Sequence, residues 1–483
     1  ALCLLLVLAS CEGVHRVRET LKKHRIPDWK AKNDPNWGPV HVQPEQVHLS
    51  WAGPNAFWVT WITFDDVLDA IVEYGNTKEG RTLGRVATGH ISYYKAEERV
   101  RFVSRVKVVL DDESDAPGDI YRYRVGSNRG WSSIFEFRYM KPRDDGGYEI
   151  AFYGDMGNEN ARSMGLLQRM AQDGGIDMVH HVGDYGYDLN TDSGRVGDEF
   201  FRQIESVAAY VPYQPTPGNH ENADNFTHFF HRFTPPDGGD PIYYSYDLDK
   251  VHFVSFSTEV YFYTNFGYGQ LKNQWEWLVE DLKKANENRA SVPWIIAMGH
   301  RPMYCSDFDG DDCTKYESII RTGMPGTHAY ALEKLFYEAG VDMLFFAHEH
   351  SYERTYPVYN RTVYKGPSSP YVDAPAPVHI VSGSAGCRER VDPFIEHPEP
   401  WSAIRSSNYG VGVLRVYNST HLRFRQIGAA SEQVEDELWL VKSKHGPYGK
   451  HDRRKMEKHG VYVPLTENIS KRSVDEDFDD TFI

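Results

Sequence analysis

An apolar run over residues 176–182 ends in Gly183-Asp184, with Tyr187 three residues further on. A short run of this kind bounded by Gly and Asp reads as a buried strand, and buried strands of this type belong to sheets flanked by helices. The feature therefore puts a carboxylate at the carboxyl end of a strand, the edge where open α/β sheets bind ligands. Strand patterns recur at 148–153, 293–298 and 341–346, and helical patterns at 161–173, 196–209, 270–286 and 329–339. A β-rich remainder includes 378–382, 411–417 and 421–427. This alternation predicts an α/β layer arrangement with a largely parallel sheet.

Four further stretches look built to complete the same site. They are Asp155-Met156-Gly157, Gly218-Asn219-His220-Glu221, Gly299-His300 and His348-Glu349-His350. Asp155, His300 and His348 each follow a predicted strand, while Asn219 lies on a loop after the segment bracketed by Pro212 and Pro217. Hard cations favour carboxylate, amide and phenolate oxygens, and borderline divalent ions accept imidazole as well. Asp155, Asp184, Tyr187, Asn219, His300, His348 and His350 supply that mixture, which suits two metals of different hardness. One such motif alone is commonly a helix cap or a turn. Five at strand ends in one chain have no comparable structural explanation.

With 483 residues the chain exceeds what one core usually organises, so two domains plus extensions are expected. Short alternating runs over 40–141 predict an all-β sandwich of roughly seven strands. Its Tyr121-x-Tyr123-x-Val125-Gly126 ending resembles a fibronectin type III domain. The polar Pro/Gly stretch from Lys141 to Gly147 is the expected linker, and 148–448 the catalytic domain. Residues 1–13 read as a secretory signal, although 8–11 also fit a bacterial lipoprotein pattern, and 14–39 as an extended leader. The acidic tail 449–483 is expected to be disordered. A formal net charge of −16 argues against nucleic acid as a partner, and no later run approaches the length of a membrane span. Four sequons, at Asn225, Asn360, Asn418 and Asn468, agree with secretion. Beyond the presumed signal, Cys305 and Cys313 could close a small acidic loop in an oxidising compartment, leaving Cys387 free.

The five ligand-type blocks together resemble those of the purple acid phosphatases, within the calcineurin-like metallophosphoesterase superfamily. The resemblance extends over most of the chain, because that family also carries an N-terminal fibronectin-like domain. It implies a metallophosphoesterase β-sandwich flanked by helices, with Asp155, Tyr187 and His350 holding Fe(III) and Asp184 bridging to a second ion. Asn219, His300 and His348 would hold that ion, which in the family is Fe(II), Zn or Mn. Two departures stand out. Ala347 replaces a usual glycine, and the histidines that plant-type members carry after the His300 block are absent from 307–313. The Cys305…Cys313 version looks more like the animal long-form branch. His220 is then the nearby histidine assigned to phosphate contact and proton delivery, shared with Asn219 for substrate binding, and Glu221 would orient His220 or cap the loop.

The implied activity is acid hydrolysis of small phosphate monoesters by a metal-activated hydroxide, without a phosphoenzyme. Alternatives are a diesterase or nucleotide pyrophosphatase on the same centre, and a secreted binding protein using the metal domain structurally. The resemblance also implies a secreted or lysosomal protein and allows a homodimer.

Overall fold

The computed structural model describes residues 39–464, apart from 81–82, 309 and 368. The expected signal, the leader through residue 38, Asn468 and the last residues of the acidic tail lie outside the described residues.

Alternating apolar residues build the N-terminal sandwich. One sheet runs in the order Glu45–Trp51, Ala56–Thr63, Arg99–Val109, His90–Ala96, and its neighbours are all antiparallel. The facing sheet pairs Arg85–Thr88, Ile71–Asn76 and Ile120–Ser127, with Gly130–Trp131 and Phe135–Arg138 both against the last. Trp61, Tyr121 and Tyr123 are buried between them. The Tyr123 hydroxyl goes further and donates to the Ala209 carbonyl at 2.7 Å, outside the sandwich. At the same junction Trp51 N donates to Gln214 Oε1 (2.9 Å) and Val47 N to Glu205 Oε2 (2.8 Å). Buried Asp198 takes Arg101 Nε at 2.7 Å and Arg232 Nη2 at 2.8 Å, so one carboxylate is shared by a guanidinium from each side.

The second half has two mixed sheets, the β-sandwich flanked by helices that the resemblance implies, where local periodicity alone pointed to one largely parallel sheet. In one, Tyr213–Thr216, Met178–Val182 and Glu149–Tyr153 are parallel, and Gly410–Val416, His421–Gly428 and Val434–Val441 continue antiparallel. In the other, Val251–Ser255, Trp294–Met298, Met343–Phe346 and Val378–Ser382 are parallel, flanked by antiparallel Tyr244–Leu248 and by Tyr352–Thr355 and Ser402–Ser406. Periodicity identified the central strands and the hairpin over 411–427, but not the extensions Val434–Val441, Tyr352–Thr355 and Ser402–Ser406. The sheets pack face to face through Phe152, which stacks on Phe345 at 4.1 Å, and through Phe345 against Phe424 at 5.5 Å. Their outer faces bury against helices Met164–Gln172, Thr191–Ala208, Gly269–Glu287 and Leu332–Ala339. At their contact line a Cβ on Gly154 would lie 2.3 Å from that of Ala347. The methyl at 347, where the resemblance leads one to expect glycine, is thus accommodated by a glycine opposite.

Within the segment bracketed by Pro212 and Pro217, Tyr213–Thr216 is an edge strand, the sheet position where the N–H missing at Pro215 is tolerated. The expected disorder from 449 onward is also corrected over 449–464. Lys450–His459 is a helix, and Gly460–Tyr462 pairs with Thr362–Tyr364. Three apolar anchors explain the order in so polar a segment: Met456 and Val463 are buried, and Tyr448 stacks on Tyr337 at 4.9 Å. No helix among the described residues is long and apolar enough to cross a membrane.

Two stability predictions follow from these contacts. Asp198→Ala leaves Arg101 and Arg232 buried without a counter-charge and should cost roughly 3–5 kcal/mol in denaturant unfolding. His252 sits between Asp247 Oδ1 (2.7 Å) and Asp281 Oδ2 (3.0 Å). Burial lowers its pKa, but these two carboxylates more than offset that and raise it to about 9. Its contribution is therefore fully present below about pH 6.5 and lost as the pH rises through 9. His252→Gln should lower Tm at pH 6 by more than at pH 9.5, read by thermal melts at both pH values.

Candidate metal centre

The parallel strands of both sheets end at one rim. Asp155 follows Glu149–Tyr153, Asp184 follows Met178–Val182, His300 follows Trp294–Met298, and His348 follows Met343–Phe346. Asn219 and His220 lie on the 3-10 turn Asn219–Glu221 beyond the edge strand. Asp155, Asp184, Tyr187 and His348 have left-handed φ values of 57°, 54°, 54° and 71°. Such backbone costs roughly 1–3 kcal/mol per residue and persists where the surroundings impose it. Here it turns each side chain back over the strand ends. Gly183, at φ +87°, has the same task with no room to spare, since a Cβ there would sit 2.2 Å from His300 Nδ1.

All seven sequence-predicted donors converge. His300 Nε2 lies 3.2 Å from Asp184 Oδ2 and 3.0 Å from Asn219 Oδ1, with His348 Nδ1 3.3 Å away. On the other side of Asp184, the Tyr187 hydroxyl is 2.8 Å from His350 Nε2, which is 3.6 Å from Asp155 Oδ1. Tyr187 is buried, pointing at His350. His220 Nε2 stands 3.9 Å from Asp184 Oδ2, and its ring lies 4.5 Å from that of Tyr187.

The charges of this pocket are tightly interdependent. Burial opposes ionisation of Asp184, yet His300 and His220 hold its carboxyl well below the usual range. Burial disfavours charge on His300, but Asp184 and Asp155 raise it to about 10. In the same way Asp155 helps raise His350 to about 12. The Tyr187 phenol is pushed well up, by burial first and then by the Asp155 and Asp184 charges. Positive charge is what this cluster of carboxylates calls for. A specific atom shows where: Asp155 Oδ1 is buried and accepts no hydrogen bond, while Oδ2 takes His348 N at 2.9 Å. An orphaned carboxylate oxygen facing an imidazole and a phenol fits a cation, as does the group Asp184, His300 and His348, whose ligand atoms lie within 4.8 Å of one another.

Supporting residues were less legible. Glu221 caps rather than orients: its carboxylate accepts from Asp184 N (2.9 Å), Tyr185 N (3.1 Å) and Gly218 N (2.9 Å). The partner of His220 is Asp188, whose Oδ1 is 2.9 Å from Nδ1. A carboxylate directly after Tyr187 was the available signal for it. Arg388, which pairs with Asp188 at 3.2 Å, and Glu389, whose Oε1 is 3.9 Å from His220 Nε2, come from a segment with no sequence signal. Cys305 and Cys313 form a disulfide with Cα atoms 5.4 Å apart, and Cys387 is buried and free. Of the sequons, Asn360 and Asn418 are exposed and Asn225 is half-buried.

Three family models match the chain. They are the calcineurin-like phosphoesterase domain over residues 148–352, an iron/zinc purple acid phosphatase-like protein C-terminal region over 376–437, and the purple acid phosphatase N-terminal domain over 44–139. Acid phosphatase type 7 of Danio rerio is 47% identical over 85% of this chain and 94% of its own length. The protein of the same name from Homo sapiens is 43% identical over 85% of this chain and 93% of its own length. Among solved structures, purple acid phosphatase PPD1 from yellow lupin seeds shares the fold with a TM-score of 0.68 at 21% identity, over 88% of this chain and 77% of that one.

Because one carboxylate satisfies three buried backbone N–H groups, Glu221→Gln should do disproportionate damage. An amide directs an N–H₂ group at donors it cannot satisfy, at a cost of about 1–3 kcal/mol per group left unpaired. The expected result is a lower Tm together with partial loss of bound metal, measured by melts and elemental analysis.

Proposed function

The chain belongs to the purple acid phosphatase family of calcineurin-like phosphoesterases, and from that premise we infer how its pocket performs metal-dependent acid phosphatase chemistry. Asp155, Tyr187 and His350 would hold one ion, in this reading Fe(III). Asn219, His300 and His348 would hold a second, divalent ion drawn from Zn, Fe and Mn, with Asp184 available to both. The family implies the dinuclear centre itself. The convergence of the Asp184, His300 and His348 ligand atoms carries the residue assignment. When bound, such a pair of cations would supply Lewis acidity for the phosphoryl group and for a nucleophilic water.

The chain's own side chains do the remaining work. Asp188 anchors His220 through Nδ1, leaving Nε2 aimed toward Asp184 and the pocket. From there His220 contacts the phosphate and delivers a proton to the departing oxygen, the role left open by the missing plant-type histidines. Asn219 shares the substrate contact from the adjacent position. The substrates are small phosphate monoesters. The Cys305–Cys313 bridge favours an oxidising, secreted setting. The non-catalytic alternative falls, since the relatives at 47% and 43% identity are named acid phosphatases.

The test is metal stoichiometry alongside turnover. Asp184→Asn and His350→Ala should each lose metal and at least 100-fold in kcat/KM on an aryl phosphate, as expected when a ligand with its metal is removed. A fully metallated and fully active variant would refute the assignment.

A further inference from the structure

The acidic loop between Cys305 and Cys313 is the segment where plant-type histidines are missing, and no role in the site was assigned to it. Its Asp311 reaches the metal centre from behind. Asp311 Oδ2 hydrogen-bonds His348 Nε2 and lies 3.2 Å from Arg301 Nη1. The opposite ring nitrogen of His348, Nδ1, faces His300 Nε2 at 3.3 Å. An imidazole that gives its Nδ1 lone pair to a cation must carry its proton on Nε2, and that proton needs an acceptor. Among the described residues, two groups reach Nε2, namely Asp311 and Arg301 Nη1, the latter at 2.9 Å. Arg301 has only donors to offer, so it matches the opposite tautomer, in which Nδ1 holds the proton and cannot ligate. Asp311 accepts, and matches the ligating one.

We propose that Asp311 is a positioning residue for the second metal ion, setting the tautomer and ring orientation of His348, and that the Cys305–Cys313 bridge holds its loop at that distance. The proposal rests on the reading of His348 as a ligand. Several contacts keep the carboxylate in place. Arg301 is itself fixed by Glu259 Oε2 at 3.0 Å and by Thr258 Oγ1 on its backbone N–H at 2.9 Å. The other Asp311 oxygen accepts from Asp312 N at 2.8 Å. On the near side of the loop, Glu353 holds Ser306 through its N–H (2.8 Å) and hydroxyl (2.7 Å). On the far side, Asp312 takes the Ser318 hydroxyl at 2.6 Å. The loop is therefore braced at both ends, and Asp311 occupies its inner face.

A carboxylate behind a metal-bound histidine typically governs affinity by 10–100-fold. The experiment removes the second ion from full-length protein with a chelator and titrates zinc back into native protein, Asp311→Ala, Asp311→Asn and His348→Ala. Asp311→Ala should bind zinc at least 10-fold more weakly with the first ion retained, and saturating zinc should restore kcat, which damage to the fold would not allow. Asp311→Asn keeps an acceptor oxygen and should fall between alanine and native. Cys305→Ser with Cys313→Ser should shift zinc affinity in the same direction as Asp311→Ala. If Asp311→Ala binds zinc as tightly as native while His348→Ala does not, the positioning role is wrong and the ligand reading stands. If His348→Ala also binds zinc as native, the ligand reading fails and the proposal with it.

Discussion

Two buried carboxylates facing one small space are the constraint that orders the rest of this molecule. Asp155 and Asp184 are essentially without solvent, Tyr187 is buried beside them, and Asp155 Oδ1 has no hydrogen-bond donor. Such a group is untenable in a low-dielectric interior unless positive charge is supplied. Imidazoles from two other segments, with His220 from a third beside them, approach those carboxylates at 3.2–3.9 Å. The strained backbone at Asp155, Asp184, Tyr187 and His348 belongs to the same balance, because it is what turns those side chains toward one another.

Holding that geometry requires two sheets rather than one. Asp155 and Asp184 come from one sheet, His300 and His348 from the other, and their alignment depends on the Phe152–Phe345 stack and on the close approach of Gly154 and Ala347. Behind the first sheet, the N-terminal sandwich docks on the helix Thr191–Ala208 through Asp198, Arg101 and Glu205. That helix begins just after the loop carrying Tyr187 and Asp188. Packing far from the centre thus bears on where the phenol and the His220 anchor stand.

The residues that converge at this rim were legible because most of their blocks follow a short buried run, and strand periodicity with Gly and Asp boundaries survives in one dimension. The sheet class was only half legible. Central strands such as Met178–Val182 are buried throughout, and the extensions over 411–427 were also legible, whereas Val434–Val441 carries charged residues on one face and left no mark distinct from loop. The charges of Lys450–His459 disguised a helix secured by few apolar side chains. There a small number of tertiary contacts outweighed local composition.

The sequence by itself determined the donor types, their order and their places at strand ends, because those follow from chemistry and local periodicity. Only the tertiary structure decided that Glu221 serves three backbone N–H groups, that Asp188 anchors His220, and that Asp311 stands behind His348. Those relations join residues distant along the chain. They depend on how two sheets and their loops pack, a property that no local pattern encodes.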